Sequence, residues 1–159
     1  MATGPATAVT LTPEQLLEHW QGHRRLTRRV IEAFPEDQLF TFSLGGMRTF
    51  GQLARELLAV GAPVLRGMVT GDWSDYQEPE ISSKAELLQR WDESAKEIAD
   101  LWPQLPPGRL QETITAFGMY TAPGYGQILY AIDNEVHHRG QGYVYLRALG
   151  LEPPPFWER

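Results

Sequence analysis

The sequence predicts an all-α protein folded as a single four-helix bundle. Three observations carry that expectation. Four stretches of about 20 residues repeat apolar side chains at helical spacing. The first three open on Ser or Thr followed three residues later by Gln or Glu, the signature of a reciprocal N-terminal cap. Loops rich in proline, glycine and polar residues separate the stretches, and no strand set or internal repeat competes with them.

Residues 1 to 10 are small and polar without periodicity, and read as a flexible tail ahead of a domain spanning 11 to 159. Thr12-Pro13-Glu14-Gln15 combines a cap, a first-position proline and a capping-box glutamine, so the first helix runs to about Phe34. Its stripe is Leu16, Trp20, Leu26 or Thr27, Val30 and Phe34, with His23 on or near it. Pro35 ends it. Thr49-Phe50-Gly51-Gln52 then opens a second helix whose stripe, Leu53, Leu57, Val60 and Val64, reaches about Met68, with Pro63 as a candidate bend. Ser83-Lys84-Ala85-Glu86 starts the third, lined by Leu87, Trp91, Ile98 and Leu101 and stopped by the segment from Pro103 to Gly108. From Leu110 to Tyr120 the pattern is ambiguous, and the alternation Thr113-Ile114-Thr115 admits an extended piece over one end of the bundle. The last helix begins between Pro123 and Gly126 and ends at Leu149, with Gly150 placed to terminate it and Pro153, Pro154 and Pro155 forbidding continuation.

A chain of 159 residues, 42% hydrophobic and 21% charged, has the apolar surface for one unaided core. Twenty acidic against 14 basic residues leave no broad positive face, which argues against a nucleic-acid partner. The basic group Arg24, Arg25, Arg28 and Arg29 reads as a solvated helix face beside acidic neighbours. The absence of cysteine excludes disulfides, thiolate ligands and a cysteine nucleophile in this chain. No basic-then-apolar leader and no run of about 18 apolar residues is present, so a cytoplasmic protein without a membrane partner is expected.

The last helix carries the chemistry. Asn134 and His138, four apart, share one face, and Gln141 and Tyr145 extend the strip. Unpaired, such groups cost on the order of 1–3 kcal/mol each to bury, so they require partners, water or a metal. His137 and His138 lie about 100° apart around the helix, so the two do not share one tight site and one of them faces outward or toward another helix. Glu135 and Arg139 read as a helix-surface pair. His19 and His23 share the four-residue spacing on the first helix without a third ligand. The serines, at 43, 74, 82, 83 and 94, lie in no nucleophile-elbow motif, and Gly45-Gly46 and Gly124-Tyr125-Gly126 lack the frame of a phosphate-binding loop.

The run His137-His138-Arg139-Gly140-Gln141, with Tyr145-Leu146-Arg147, Gly150 and the prolines, resembles the final helix of the DinB/YfiT-like family. Trp20, Arg24, Pro35 and Thr49-Phe50-Gly51-Gln52-Leu53 continue the resemblance over nearly the whole chain. It implies an up-down-down-up bundle, often a homodimer, with a divalent metal on three histidines: one from the second helix and two, four apart, from the last. Those positions are Glu56, Asn134 and His138 here, and only His138 keeps the histidine. Imidazole suits zinc, nickel or iron, carboxylate is acceptable and also serves manganese, and a neutral amide is weak.

Two functions follow. One is a metal-dependent transferase that activates a low-molecular-weight thiol, with His23, Arg48, Gln141 and Tyr145 forming the pocket around the metal. The other is a non-catalytic, metal-free bundle, a small-molecule-binding or stress-associated dimer, in which carboxylate and amide satisfy His138. The aromatic residues Trp73, Tyr76, Phe156 and Trp157 are either a dimer patch or packed on their own bundle.

Overall fold

Thr12 opens α1 (Pro13–Ala33): its hydroxyl accepts from Gln15 N while the Gln15 side chain accepts from Thr12 N. Thr49 and Gln52 repeat this at α2 (Phe50–Thr70), and α2 runs through Pro63. Ser83 caps α3 (Lys84–Leu101) with the bond from Glu86 N. No side chain caps α4 (Gly124–Ala148); instead Gly124 N and Tyr125 N donate to the carbonyls of Glu112 and Leu110. Gly150, at φ 78°, takes the left-handed conformation that closes α4. These elements come from a computed structural model describing residues 10–74 and 76–159; the predicted tail, Thr10 apart, lies outside the described residues.

The all-α expectation needs correction, because the structure is mostly helical with four helices plus a small two-stranded sheet. Strands β1 (Thr113–Ala116) and β2 (Tyr120–Pro123) pair antiparallel, with Ile114 opposite Ala122 and Ala116 opposite Tyr120. The cause is the alternation at Thr113-Ile114-Thr115, which buries Ile114 and Ala116 and exposes both threonines. Phe117 and Gly118, with φ of 52° and 67°, reverse the chain, and Met119 N donates to Ala116 O at 3.0 Å. Gln127 of α4 donates from Nε2 to Ile114 O at 2.9 Å and to Tyr120 O at 3.0 Å, tying both strands to the helix.

Helices α1 and α2 each pack on α3 and α4. Apolar side chains gather in two clusters. One holds Val30, Phe34, Leu53, Leu57, Leu87, Trp91, Tyr145 and Leu146. The other holds Leu16, Trp20, Val64, Met68, Ile98, Ile128 and Ile132. In the first, Phe50 stacks on Phe34 with ring centroids 4.8 Å apart and lies against Gly142, where a Cβ would meet the ring at 2.5 Å. Gly140, two residues earlier, faces open space.

Between the clusters runs a buried polar layer that corrects two expectations. Arg24 is not on the solvated face: it is 1% exposed, whereas Arg25, Arg28 and Arg29 do meet the acidic neighbours Glu18, Asp92 and Glu158. Glu135 and Arg139 are not a surface pair either, being 2% and 5% exposed. Arg24 Nη1 donates to Glu135 Oε2 at 3.3 Å, Arg24 Nη2 to Ser94 Oγ at 2.9 Å, and Thr27 Oγ1 to Glu135 Oε1 at 2.6 Å. Trp91 stacks under the Arg24 guanidinium at 3.6 Å and donates Nε1 to Arg24 O. The physical reason is the need for counter-charge: a buried guanidinium requires an anion, and Glu135 sits where α4 can supply it.

Candidate functional site

The α2–α4 face and the loop that enters α2 bring together five of the seven predicted site residues, Glu56, Asn134, His138, Arg48 and Tyr145. Glu56 on α2 is the hub. Its Oε1 lies 3.0 Å from His138 Nε2 and 3.1 Å from Asn134 Nδ2, both on α4 and one helical turn apart. Its Oε2 receives Arg48 Nη2 at 2.5 Å from the loop that enters α2. Arg48 also reaches Glu78 at 3.8 Å, and its carbonyl accepts from Tyr145 Oη at 2.9 Å. Burial works against the Glu56 carboxylate, but the bonds from His138, Arg48 and Asn134 outweigh it and hold the group down at about 2, so it is an anion at neutral pH.

An ionised Glu56 accepting from His138 Nε2 places the imidazole proton on that nitrogen in the neutral ring and leaves Nδ1 as the second polar atom. Nδ1 is buried without a partner among the described residues. A carboxylate-oriented imidazole has the wiring of a general base. Here its free nitrogen is sealed from solvent, so no substrate atom reaches it in this conformation.

His23 and Gln141 do not join this group. His23 sits on the α1–α4 side, where its Nδ1 meets Arg139 Nη2 at 2.9 Å and its Nε2 meets His19 at 3.2 Å and Arg159 at 3.1 Å. Burial first, then the charges of Arg139, His19 and Arg159, push its imidazole down to about 4. Gln141 turns outward to the exposed His137, Nε2 to Nε2 at 3.1 Å. The helix period explains the split, since residue 141 follows His138 by less than a full turn and drifts off its line.

Sequence reading missed an aromatic slot beside the hub. One turn along α2 from Glu56 and one turn back along α4 from Asn134, Val60 and Tyr130 begin a cavity of about 140 Å³ that also touches Val64, Tyr76, Phe117 and Gln127. Tyr76 Oη donates to Glu78 Oε1 at 3.1 Å, which joins the slot wall to Arg48 and so to Glu56. The signal was present in the spacing of Gln127, Tyr130 and Asn134, but the closing ring, Phe117, comes from the hairpin. Trp73 packs back on Phe117, with centroids 5.6 Å apart, while Phe156 and Trp157 are 65% and 67% exposed.

The donor set does not fit a three-ligand transition-metal centre. Both Glu56 oxygens are already engaged, and a cation binding there has to displace a guanidinium. Asn134 presents its NH2 to Glu56 and would have only an amide oxygen to offer. Among the described residues, no group of three His, Cys, Asp or Glu side chains is placed to hold a metal ion.

Four helices around a polar α2–α4 hub, closed at one end by a hairpin, define a small helical-bundle class of protein. The chain belongs to the DinB family, whose model matches residues 6–159. A relative from Bacillus subtilis strain 168, named as the uncharacterized protein YjoA, is 22% identical over 148 residues, covering 91% of this chain and 96% of its own. The crystal structure of YjoA, a DinB-like protein, superimposes with a TM-score of 0.74 at 23% identity, covering 91% of this chain and 98% of that one. A DinB-like protein from Bacillus cereus ATCC 10987 gives the same TM-score at 18% identity, with 91% and 97% covered. At these identities the likeness shows the fold.

Proposed function

We propose that this chain is a metal-independent small-molecule-binding member of its family, non-catalytic at the α2–α4 hub. The observation that carries this reading is the Arg48 guanidinium 2.5 Å from Glu56, standing where an ion would otherwise neutralise the carboxylate. The sealed His138 Nδ1 supports the same reading, because a base without access performs no proton transfer. The helix order belongs to the proposal as up-down-down-up: the end of α1, the starts of α2 and α3 and the end of α4 share one apolar cluster. So does a cytoplasmic, stress-associated homodimer, for which the exposed Phe156 and Trp157 offer apolar contact. Among the described residues no helix is long and apolar enough to cross a membrane.

Elemental analysis of untagged protein, with calorimetric titration of zinc, nickel and manganese, tests the reading. No stoichiometric metal and no micromolar binding are expected. Tight binding of any of the three would overturn it in favour of the metal-dependent thiol transferase, in which Glu56, Asn134 and His138 hold the ion after Arg48 has left. Light scattering tests assembly, since the chain mass is 18.0 kDa and a dimer reads twice that.

A further inference from the structure

We propose that α4 pairs antiparallel with α4 of a second copy of this chain, about a twofold axis at Gly140. The assignment rests on the homodimer reading above and names its face and register. Helix geometry picks out the stripe. Val136 and Val144 stand four residues to either side of Gly140, and Asp133 and Arg147 seven. At about 100° per residue, the first two lie about 40° from Gly140 around the helix and the second two about 20°. Leu129 falls on the same line, which gives one band about 80° wide and about 27 Å long. All six residues are exposed, Leu129 and Val136 at 41% and Val144 at 55%. The buried side of α4, with Ala131, Glu135, His138 and Tyr145, lies opposite. A helix with apolar side chains on both sides has a second surface to cover.

Charge sets the register. In a twofold antiparallel pair, each residue stands level with the one equally far beyond Gly140 on the other copy. Val136 then meets the second copy's Val144, and Asp133 meets the second copy's Arg147, twice over by symmetry. Both charges are available for this. Asp133 makes no ion pair among the described residues, and Arg147 is the one arginine before the C-terminal Arg159 that meets no carboxylate there. The Arg147 guanidinium rests only near the Tyr143 ring, 5.8 Å from its centroid. A parallel pair would set Asp133 against Asp133 and Arg147 against Arg147, and like charges brought together disfavour it.

Gly140 fits the crossing point. Glycine inside a helix is destabilising by about 0.5–1 kcal/mol against alanine. A Cβ at Gly140 meets nothing within 4 Å, whereas one at Gly142 strikes the Phe50 ring, so only Gly142 is explained within one copy. At a helix crossing a small residue lets two backbones approach to about 8 Å; an alanine methyl still fits there, and a leucine holds the helices apart.

The band alone is too small for a stable pair. At about 10 Å wide it covers roughly 300 Å² per copy, against about 800 Å² in a stable complex. The adjoining groove supplies more area. Val136, Gly140, Tyr143 and Arg147 share that groove with Phe156 and Trp157, which are 65% and 67% exposed. The contact therefore spreads from the band onto these two rings.

The chain has no cysteine, so single introduced thiols report the register. Under mild oxidation G140C should close a disulfide with its own copy, because the two Cα atoms come within the limit of about 7 Å. V136C alone and V144C alone should not, since like residues stand about 12 Å apart along the axis. An equimolar mixture of V136C with isotope-labelled V144C should give the mixed covalent dimer by mass spectrometry. Light scattering over a concentration series reads assembly without cross-links, against the chain mass of 18.0 kDa. D133R should weaken the dimer at least about tenfold, and D133R/R147D should return it to within about threefold of wild type. F156A/W157A should weaken it about tenfold. Circular dichroism of each variant should match wild type, because every substituted position is exposed. A dimer unchanged by D133R, or one that cross-links through V136C alone as readily as through G140C, overturns this face and register and leaves the homodimer reading standing. A chain that stays at 18.0 kDa at every concentration overturns both.

Discussion

Replacing Glu135 by alanine removes the one carboxylate that, among the described residues, contacts the buried Arg24 and Arg139. Arg24 is 1% exposed and Arg139 5% exposed, so neither guanidinium recovers its hydration in the folded state. Breaking a buried ion pair by deleting one partner costs about 3–5 kcal/mol. Arg24 keeps Ser94 and the Trp91 face, and Arg139 keeps Thr27 and His23, which places the expected loss near the lower half, about 3–4 kcal/mol. A domain of ordinary stability has about 5–15 kcal/mol in all, so the variant should fold but be badly weakened. With a urea dependence of about 2 kcal/mol/M, the midpoint followed by tryptophan fluorescence should fall by about 1.5–2 M. E135Q preserves the volume and the acceptor for Thr27, 2.6 Å away, and should lose nearly as much because the charge is what is missing. A loss below about 1 kcal/mol in E135A, or full stability in E135Q, would refute the claim that charge compensation holds this layer together.

Gly142→Ala should destabilise by about 1–3 kcal/mol because its methyl group meets the Phe50 ring at 2.5 Å, while Gly140→Ala, in open space, should stabilise by about 0.5–1 kcal/mol; thermal melts of the pair read the contrast. The His23 imidazole is held at about 4 when folded against an ordinary 6.5, so unfolded chain binds the extra proton between these values. Its contribution to stability is whole above pH 6.5 and is lost as pH falls toward 4, and H23F should flatten that part of a stability-versus-pH profile. Arg48→Ala frees Glu56 Oε2, and Asn134→His adds an imidazole one turn from His138; combined, they should raise zinc affinity at least about tenfold by calorimetry, and no gain would mean that the hub cannot rearrange around an ion.

The helices were legible because capping and periodicity are local: Thr12, Thr49 and Ser83 start them where the sequence places them. Glu56, Asn134 and His138 were reachable because residues four apart share a face and the family resemblance supplied the partner on α2. The Arg24–Glu135 pair was not reached, since charge on a helix reads as solvent-facing until a distant counter-charge is known. The clue lay in position, because Arg24 continues the line of Trp20, and Glu135 that of Ala131. The hairpin was half legible: the threonine alternation announces a strand, but the turn uses Phe117 where asparagine or glycine is the usual signal.

The polar layer also constrains how the helices can sit along one another. Apolar ridges interdigitate almost as well after a slide of one turn, about 5.4 Å, so grease alone distinguishes such alignments weakly. A slide of α4 past α1 by that distance would carry Glu135 out of reach of both Arg24 and Thr27, leaving an anion and a cation stranded between two oily halves. The layer acts as a vernier mark at mid-length: it adds little net adhesion, and it makes every misaligned bundle pay in unpaired charge.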